Sequence, residues 1–186
     1  MQIAASRSPA DGLIISSGIA RDLWIGRPRY WMLLRSRKLA YDFERQLRDL
    51  RCDEEPRPRI YFEEWDEPLI TGIGWVSEAI KLVGGDEGAF FRFDAKASRE
   101  RQVEGTAVCS ADPQIIFASW CGNRADLRQI TTRPGWTVIS AVRSGEIHVI
   151  DSADILQTGP RVLEGIKQMS AIIDRWRRKF SGAKIG

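Results

Sequence analysis

A cluster of four carboxylates around a tryptophan is the first feature of the sequence that could carry chemistry. Glu63, Glu64, Asp66 and Glu67 flank Trp65 at the end of a short β-rich run. On an extended strand, Glu63 and Trp65 point to one face and Glu64 to the other. Glu63, Glu64 and Asp66 could hold a metal ion in an enzyme. A binding loop with Trp65 as an apolar platform is better supported, because a paired-carboxylate hydrolase needs acids on opposite sides of a cleft.

The second candidate is Trp120-Cys121-Gly122, which follows a nearly continuous apolar run. Cys121 could be a nucleophile, but the chain's one histidine, His148, falls in another predicted element and no Cys–His context is evident. We therefore predict that Trp120 lines a pocket and that Gly122 permits a tight turn. The chain's three cysteines lack the spacing of zinc or iron–sulfur sites and are interpreted as idle thiols.

The composition excludes several classes of function. The chain has 28 basic and 25 acidic residues, a net charge of +3, which is too balanced for a generic nucleic-acid binder. Hydrophobic residues make up 43% and charged residues 28%, which is typical of a globular core and excludes wholesale disorder. No apolar run reaches the roughly 18 residues that a membrane span requires. Neither Gly72-Ile73-Gly74 nor Gly84-Gly85 is a dinucleotide-binding pattern.

The order of predicted elements indicates an α/β fold. In order, the predictions are a helix over 36–52, a strand over 59–65, helices over 74–83 and 103–111, a strand over 114–120, a helix over 124–130, a hairpin of strands 138–142 and 146–150, and a last helix opened by Gly159-Pro160. Strands that alternate with helices predict a mainly parallel sheet covered by helices on both faces, an αβα sandwich.

The predicted sheet would bring the candidate residues together. Ligands of such sheets bind beyond the carboxyl ends of the strands. The loops at 63–66 and 120–123 and the segment 155–159 are all predicted to reach one rim. The chain divides into an irregular segment 1–34, a connecting helix 35–56, an α/β lobe 57–180 and a tail 181–186.

Several ordered sequence blocks carry a resemblance to a known family. The blocks are Arg59-Ile60-Tyr61-Phe62-Glu63-Glu64-Trp65-Asp66-Glu67-Pro68-Leu69-Ile70-Thr71-Gly72, Trp75-Val76-Ser77-Glu78, Gly84-Gly85, Ala118-Ser119-Trp120-Cys121-Gly122, Arg133-Pro134-Gly135-Trp136 and Ile155-Leu156-Gln157-Thr158-Gly159-Pro160. Across about residues 36–176 the chain closely resembles the cobalamin (vitamin B12)-binding family of periplasmic solute-binding proteins of ABC importers.

The resemblance implies a protein of two lobes joined by one long rigid helix, with the ligand in the cleft between them. This chain would supply the helix and the C-terminal lobe of such a class III binding protein. The corrin ring or its side amides would contact the following residues: Glu64, Trp65, Trp120, Cys121, Leu156 and Gln157. The family's tryptophan-bearing loops, which map to Trp65 and Trp120, would be exposed. Cobalamin would be a transported ligand, with no catalytic residue, metal site or resident cofactor.

Two departures from the family pattern shape the expectations. Residues 1–34 supply neither a first lobe nor a visible export signal, so we expect a truncated chain that binds cobalamin weakly or not at all. The family implies a periplasmic location, whereas the missing signal favours a cytoplasmic product. Permease docking uses an acidic residue on each lobe, but the aligned position here is Thr106, with Glu104 close by. The alternatives are a haem or iron-siderophore binding protein and a nonfunctional remnant.

Overall fold

The structure is a computed structural model that describes residues 37–90, 95, 97–157 and 159–182. The predictions for segment 1–34, for the start of the long helix at residue 36 and for the tail beyond 182 lie outside the described residues. None of the described helices is both long enough and apolar enough to cross a membrane.

Seven helices and four strands follow one another along the described residues. They are α1 (Arg37–Asp49), β1 (Ile60–Asp66), β2 (Leu69–Thr71), α2 (Gly74–Leu82), α3 (Gly105–Ala111), β3 (Ile115–Ala118), α4 (Leu127–Thr131), α5 (Ser140–Ser144), β4 (Ile147–Val149), α6 (Ser152–Ile155) and α7 (Val162–Gly182). Short 3₁₀ turns lie at Gly88–Phe90, Ser98–Arg101 and Trp136–Val138.

The strands form one mixed sheet in the order β2-β1-β3-β4. β1 and β4 both run parallel to β3, with Ile60 opposite Ile115 and Ile116 opposite Ile147. β2 pairs antiparallel with β1, and the register shifts between Glu63 and Trp65. The predicted mainly parallel sheet is confirmed. The antiparallel strand β2 was not predicted, because three residues are too few to show a period.

A separate hydrophobic core covers each face of the sheet. Ile60 and Phe62 of β1 face a core built with α1, α2, α6 and α7. Tyr61, one position along, faces a second core built with α3, α4, α5 and the turn at Trp136. Alternate strand residues therefore bury on opposite faces, which explains why the β3 run 115–118 is apolar throughout.

One face of helix α7 packs against the first core. The predicted stripe of Val162, Ile166, Met169, Ile173 and Trp176 is buried, as expected. Gly165 lets α7 approach α6 closely, since a Cβ there would lie 2.7 Å from the Asp154 carbonyl oxygen. The predicted helix is confirmed, although it begins at Val162, two residues after Pro160.

The predicted hairpin at 138–150 is wrong. Residues Ser140–Ser144 form helix α5, because the Asp112 carboxylate accepts hydrogen bonds from the Ser140 backbone N–H (2.7 Å) and hydroxyl (3.0 Å) and so caps a helical turn. Gly145, with φ of +71°, ends the helix. The following strand β4 then pairs in parallel with β3 instead of folding back on residues 138–142.

Candidate ligand-binding rim at the carboxyl edge of the sheet

Three loops lie at the carboxyl edge of the parallel strands, and together they are called the rim: residues 63–67 at the end of β1, 119–123 after β3, and 155–157 at the end of α6. The Ser119 and Cys121 N–H groups donate to the carbonyls of Glu63 (2.9 Å) and Glu64 (3.4 Å). The Trp75 indole N–H donates to the Ile155 carbonyl at 3.0 Å. These bonds tie the first two loops to each other and anchor the third to α2.

Glu63 is fully buried at this edge and is satisfied by two donors. The Arg133 guanidinium holds it in a two-pronged ion pair, with Nη2 donating to Oε1 at 2.9 Å. The Trp120 indole N–H donates to Oε1 at 3.0 Å. Arg133 in turn lies over the Trp136 ring, 4.5 Å from its centroid. The packing therefore fixes Glu63 as a neutralised structural charge.

Glu64 makes a matching pair on the other face of β1. Both its oxygens accept from Arg101, with Nη2 donating to Oε1 at 2.9 Å. The Ile73 N–H donates to Oε2 at 3.1 Å, and Arg101 also donates to the Thr71 carbonyl at 2.5 Å. Arg101, which is only 3% exposed, therefore connects β1 with β2, and Glu64 extends the connection to the start of α2.

The two arginines are the rim residues that sequence reasoning missed. Neither Arg101 nor Arg133 is among the predicted site residues. They follow their glutamate partners by 37 and 70 residues, a separation at which no local spacing reveals a contact. The predicted opposite facing of Glu63 and Glu64 was the available signal, because a carboxylate that is buried in its charged form needs a hydrogen-bonding partner on its own face.

The metal-site hypothesis at Glu63, Glu64 and Asp66 loses its ligands to these pairs. The oxygens of Glu63 and Glu64 accept from arginine, and Asp66 ends β1 opposite Leu69. Among the described residues, no group of three or more His, Cys, Asp or Glu could hold a metal ion. The chemistry of this arrangement is charge neutralisation and positioning.

The two tryptophans of the rim differ in exposure. Trp65 is half-buried, and its indole N–H donates to the Glu67 carbonyl at 2.9 Å, which fixes the plane of the ring. Trp120 is only 6% exposed and packs in the second core. The expectation of an exposed Trp120 loop differs from the structure, because the indole N–H of Trp120 is directed inward to Glu63.

The remaining predicted site residues present a mixed surface. Cys121 is an exposed free thiol, Leu156 is partly buried against the first core, and Gln157 is exposed. The one histidine lies elsewhere: His148, in β4, bonds to Glu146 at 2.9 Å. Burial raises the pKa of Tyr61 well above its ordinary value of 10, and the nearby Glu63 charge adds to that shift.

The predicted permease-docking positions lie in a different part of the sequence from the rim loops. Glu104 immediately precedes α3 and Thr106 lies in its first turn, and both are exposed. Cys52, Cys109 and Cys121 are all free thiols.

Comparison with known proteins supports the fold at low sequence identity. No family model matches the chain, and no curated protein matches it. The periplasmic vitamin B12-binding protein BtuF of Vibrio cholerae is similar, with a TM-score of 0.55 and 24% identity over 74% of this chain and 52% of that one.

Two further solved structures show the same architecture. The periplasmic heme-binding protein RhuT from Roseiflexus gives a TM-score of 0.58 and 18% identity over 83% of this chain and 59% of that one. An ABC-type Fe³⁺-hydroxamate transport protein from Saccharomonospora viridis gives 0.54 and 17% over 73% and 48%. This chain spans about half the length of the solved structures it matches. Its fold is therefore that of one lobe of a class III periplasmic binding protein, consistent with the C-terminal lobe.

Proposed function

We propose that this chain is the ligand-binding C-terminal lobe of an ABC-importer solute-binding protein and that its rim takes cobalamin or a related corrinoid. The observation that supports it most is a half-buried Trp65 at the carboxyl end of β1, beside the loop of the exposed Cys121, where Arg133 and Arg101 pair with both glutamates. The rim thus offers an aromatic ring and an amide beside paired charges.

The chemistry of a corrinoid suits such a surface. A broad apolar ring fits against an aromatic side chain, and the amides on its periphery can exchange hydrogen bonds with an exposed glutamine. Trp65 would supply the ring contact, and Gln157 the amide. Glu64 and Trp120 would act indirectly, through the bonds that hold the rim in shape.

Haem is the second candidate, and Cys121 is the observation that favours it. An exposed thiol at the rim could ligate haem iron as thiolate. A haem also carries carboxylates that need cations, yet Arg101 and Arg133 are already engaged with glutamates. We rank the corrinoid first because it needs no such cation, although the exposed Arg124 next to the rim could serve a haem.

As an importer component, the protein would work in the periplasm and deliver its ligand to a membrane permease. We assign the permease contact to Glu104, an exposed acidic residue at the start of α3, since Thr106 at the aligned position is uncharged. The role is one of binding and transfer, with no catalytic step.

The rim can be tested by mapping ligand contacts with NMR. Cyanocobalamin, hemin and ferric hydroxamate siderophore are each added to the full chain, and amide and indole signals are followed. We expect cyanocobalamin to shift the signals of Trp65, Cys121 and Gln157. A single lobe covers one side of the ligand, so the expected affinity is micromolar or weaker.

Two variants make the map decisive. Trp65→Ala should abolish the cobalamin shifts at Cys121 and Gln157, while Phe180→Ala, which removes an exposed apolar residue of α7, should leave them unchanged. Shifts caused by hemin and lost in Cys121→Ser would favour haem instead. Shifts with none of the three ligands would contradict the binding proposal.

A further inference from the structure

A second feature lies at the opposite, amino edge of the sheet, where Glu87 borders a surface pocket of about 270 Å³. The segment that carries Glu87 is fixed to the start of β1, because the Asp86 N–H donates to the Pro58 carbonyl (3.0 Å) and the Ile60 N–H donates to the Asp86 carbonyl (2.7 Å). The pocket is therefore separate from the rim and has no part in the proposed function.

Glu87 is buried without a partner. Its side chain is 6% exposed, and neither carboxyl oxygen has a hydrogen-bond partner among the described residues. The Ser77 hydroxyl of α2 lies near the Glu87 carboxyl group and favours its charged form. No hydrogen bond of normal geometry joins the two groups. A charged carboxylate is costly in such a place, so the protonated form is the one that the buried position favours.

The charged groups around the pocket include one cation that could pair with an ionised Glu87. Arg57 is engaged with Asp53 and Glu55, at 3.3 Å in each case. Lys81, in the last turn of α2, is exposed, lines the pocket and has no ion pair among the described residues. Asp86 is the remaining charged group and repels a negative Glu87. Among the groups that line the pocket, Lys81 is thus the cation left to pair with an ionised Glu87.

The backbone on both sides of Glu87 limits how this residue can move. A Cβ at Gly85 would lie 2.4 Å from the Ile60 side chain, so residue 85 is held by close packing. Gly88 has φ of +49°, which favours glycine, and no atom lies closer than 3.9 Å to the position of its missing Cβ. The backbone here is also bonded, since the Gly88 N–H donates to the Asp86 carboxylate (2.8 Å) and the Phe90 N–H donates to the Glu87 carbonyl (3.0 Å). The movement open to Glu87 is therefore rotation of its side chain.

We propose that Glu87 is a proton-operated switch: when protonated its side chain is stored beside Ser77, and when ionised it turns out into the pocket and pairs with Lys81. Burial, aided by the Asp86 charge, raises the pKa of the inward Glu87 from 4.5 to about 7, and pairing of the ionised form with Lys81 lowers the midpoint of the switch below that value. Its outward state changes the charge and shape of the surface at the amino edge of the sheet.

NMR titration of the full chain from pH 5 to pH 9 tests the switch. We expect the Gly88 amide and the Lys81 Nζ signals to move together with one midpoint between pH 5.5 and pH 7, and both transitions to be absent in Glu87→Gln. In Glu164→Gln, which changes an exposed glutamate of α7, the transition should persist.

A lysine variant distinguishes outward rotation of the ionised Glu87 side chain from ionisation of a side chain that stays buried. Lys81→Met should raise the midpoint at Gly88 by about 0.5 pH unit or more, because the ionised form loses its partner. Lys167→Met, a change at another surface lysine, should leave it in place. A Gly88 transition without any Lys81 response, or a midpoint below pH 5.5, would overturn the proposal.

Discussion

Two glutamates at opposite edges of the same sheet are almost equally buried, yet their surroundings differ completely. Glu63, at the carboxyl edge, is fully buried and accepts bonds from Arg133 and the Trp120 indole. Glu87, at the amino edge, is 6% exposed and has no bonded partner among the described residues. Burial alone therefore does not set the charge of a carboxyl group; the donors that accompany it do. The carboxyl edge is fixed by these bonds, and the amino edge retains a titratable group.

The largest expected effect comes from removing the cation beside Glu63. Arg133→Met leaves a buried carboxylate with only the Trp120 donor, and we expect a loss of about 3–5 kcal/mol in the free energy of unfolding at pH 7. Urea denaturation measures it. Arg128→Met, on the exposed side of α4, should change stability by less than about 0.5 kcal/mol. Equal effects of the two variants would show that the Glu63 pair is not important for the fold.

At Glu87 we expect the opposite sign: neutralising the side chain should stabilise the folded chain above neutral pH, whereas Arg133→Met destabilises it. Its carboxyl has a pKa of about 7 in the folded chain and an ordinary value of 4.5. The folded state therefore holds the proton more tightly, and the stability this contributes is present below pH 4.5 and lost as the pH rises to about 7. The difference between the two pKa values corresponds to a change in the free energy of unfolding on the order of 3 kcal/mol.

Replacing Glu87 with its neutral counterpart tests that sign. Glu87→Gln should be more stable than the parent chain at pH 8, by up to on the order of 3 kcal/mol, and nearly equal to it at pH 4.5. Urea denaturation at both pH values measures the difference. A gain of the same size at both values would mean that proton binding is not the cause.

A smaller effect separates charged from neutral acceptors of an indole N–H. Trp120→Phe removes the donor to the Glu63 carboxylate, and we expect a loss of about 2 kcal/mol. Trp75→Phe removes the donor to the Ile155 carbonyl and should cost about 1 kcal/mol. Thermal unfolding of both variants gives the ranking. A reversed order would argue against the account of Glu63 as a charge that needs two donors.

The sequence predicted those elements whose signal is local. The α7 stripe, the apolar strand β3 and the alternation of strands with helices follow from periodicity and from apolar runs, and they are confirmed. The hairpin at 138–150 failed because a long-range cap decides the structure there. Asp112, 28 residues before Ser140, starts helix α5, and no pattern within residues 138–150 shows that contact.

The candidate site was predictable to the same extent. The position of the loops 63–67 and 119–123 at one edge follows from the parallel pairing of β1 with β3, which the sequence pattern predicted. The parallel pairing of β4, which precedes 155–157, was not predicted. The inward turn of Trp120 did not follow, because it depends on Glu63, 57 residues away. Glu87 was also missed, since a single acidic residue in a charged stretch gives no sign that it is buried.

The central claim is that the rim holds a corrinoid ring through Trp65, and calorimetric titration of cyanocobalamin into the full chain tests it most directly. We predict saturable binding with a Kd of about 1 μM or weaker, weakened about tenfold or more in Trp65→Ala and unchanged in Phe180→Ala. The claim would be contradicted if the chain bound no cobalamin, or if Trp65→Ala bound it as tightly as the parent chain.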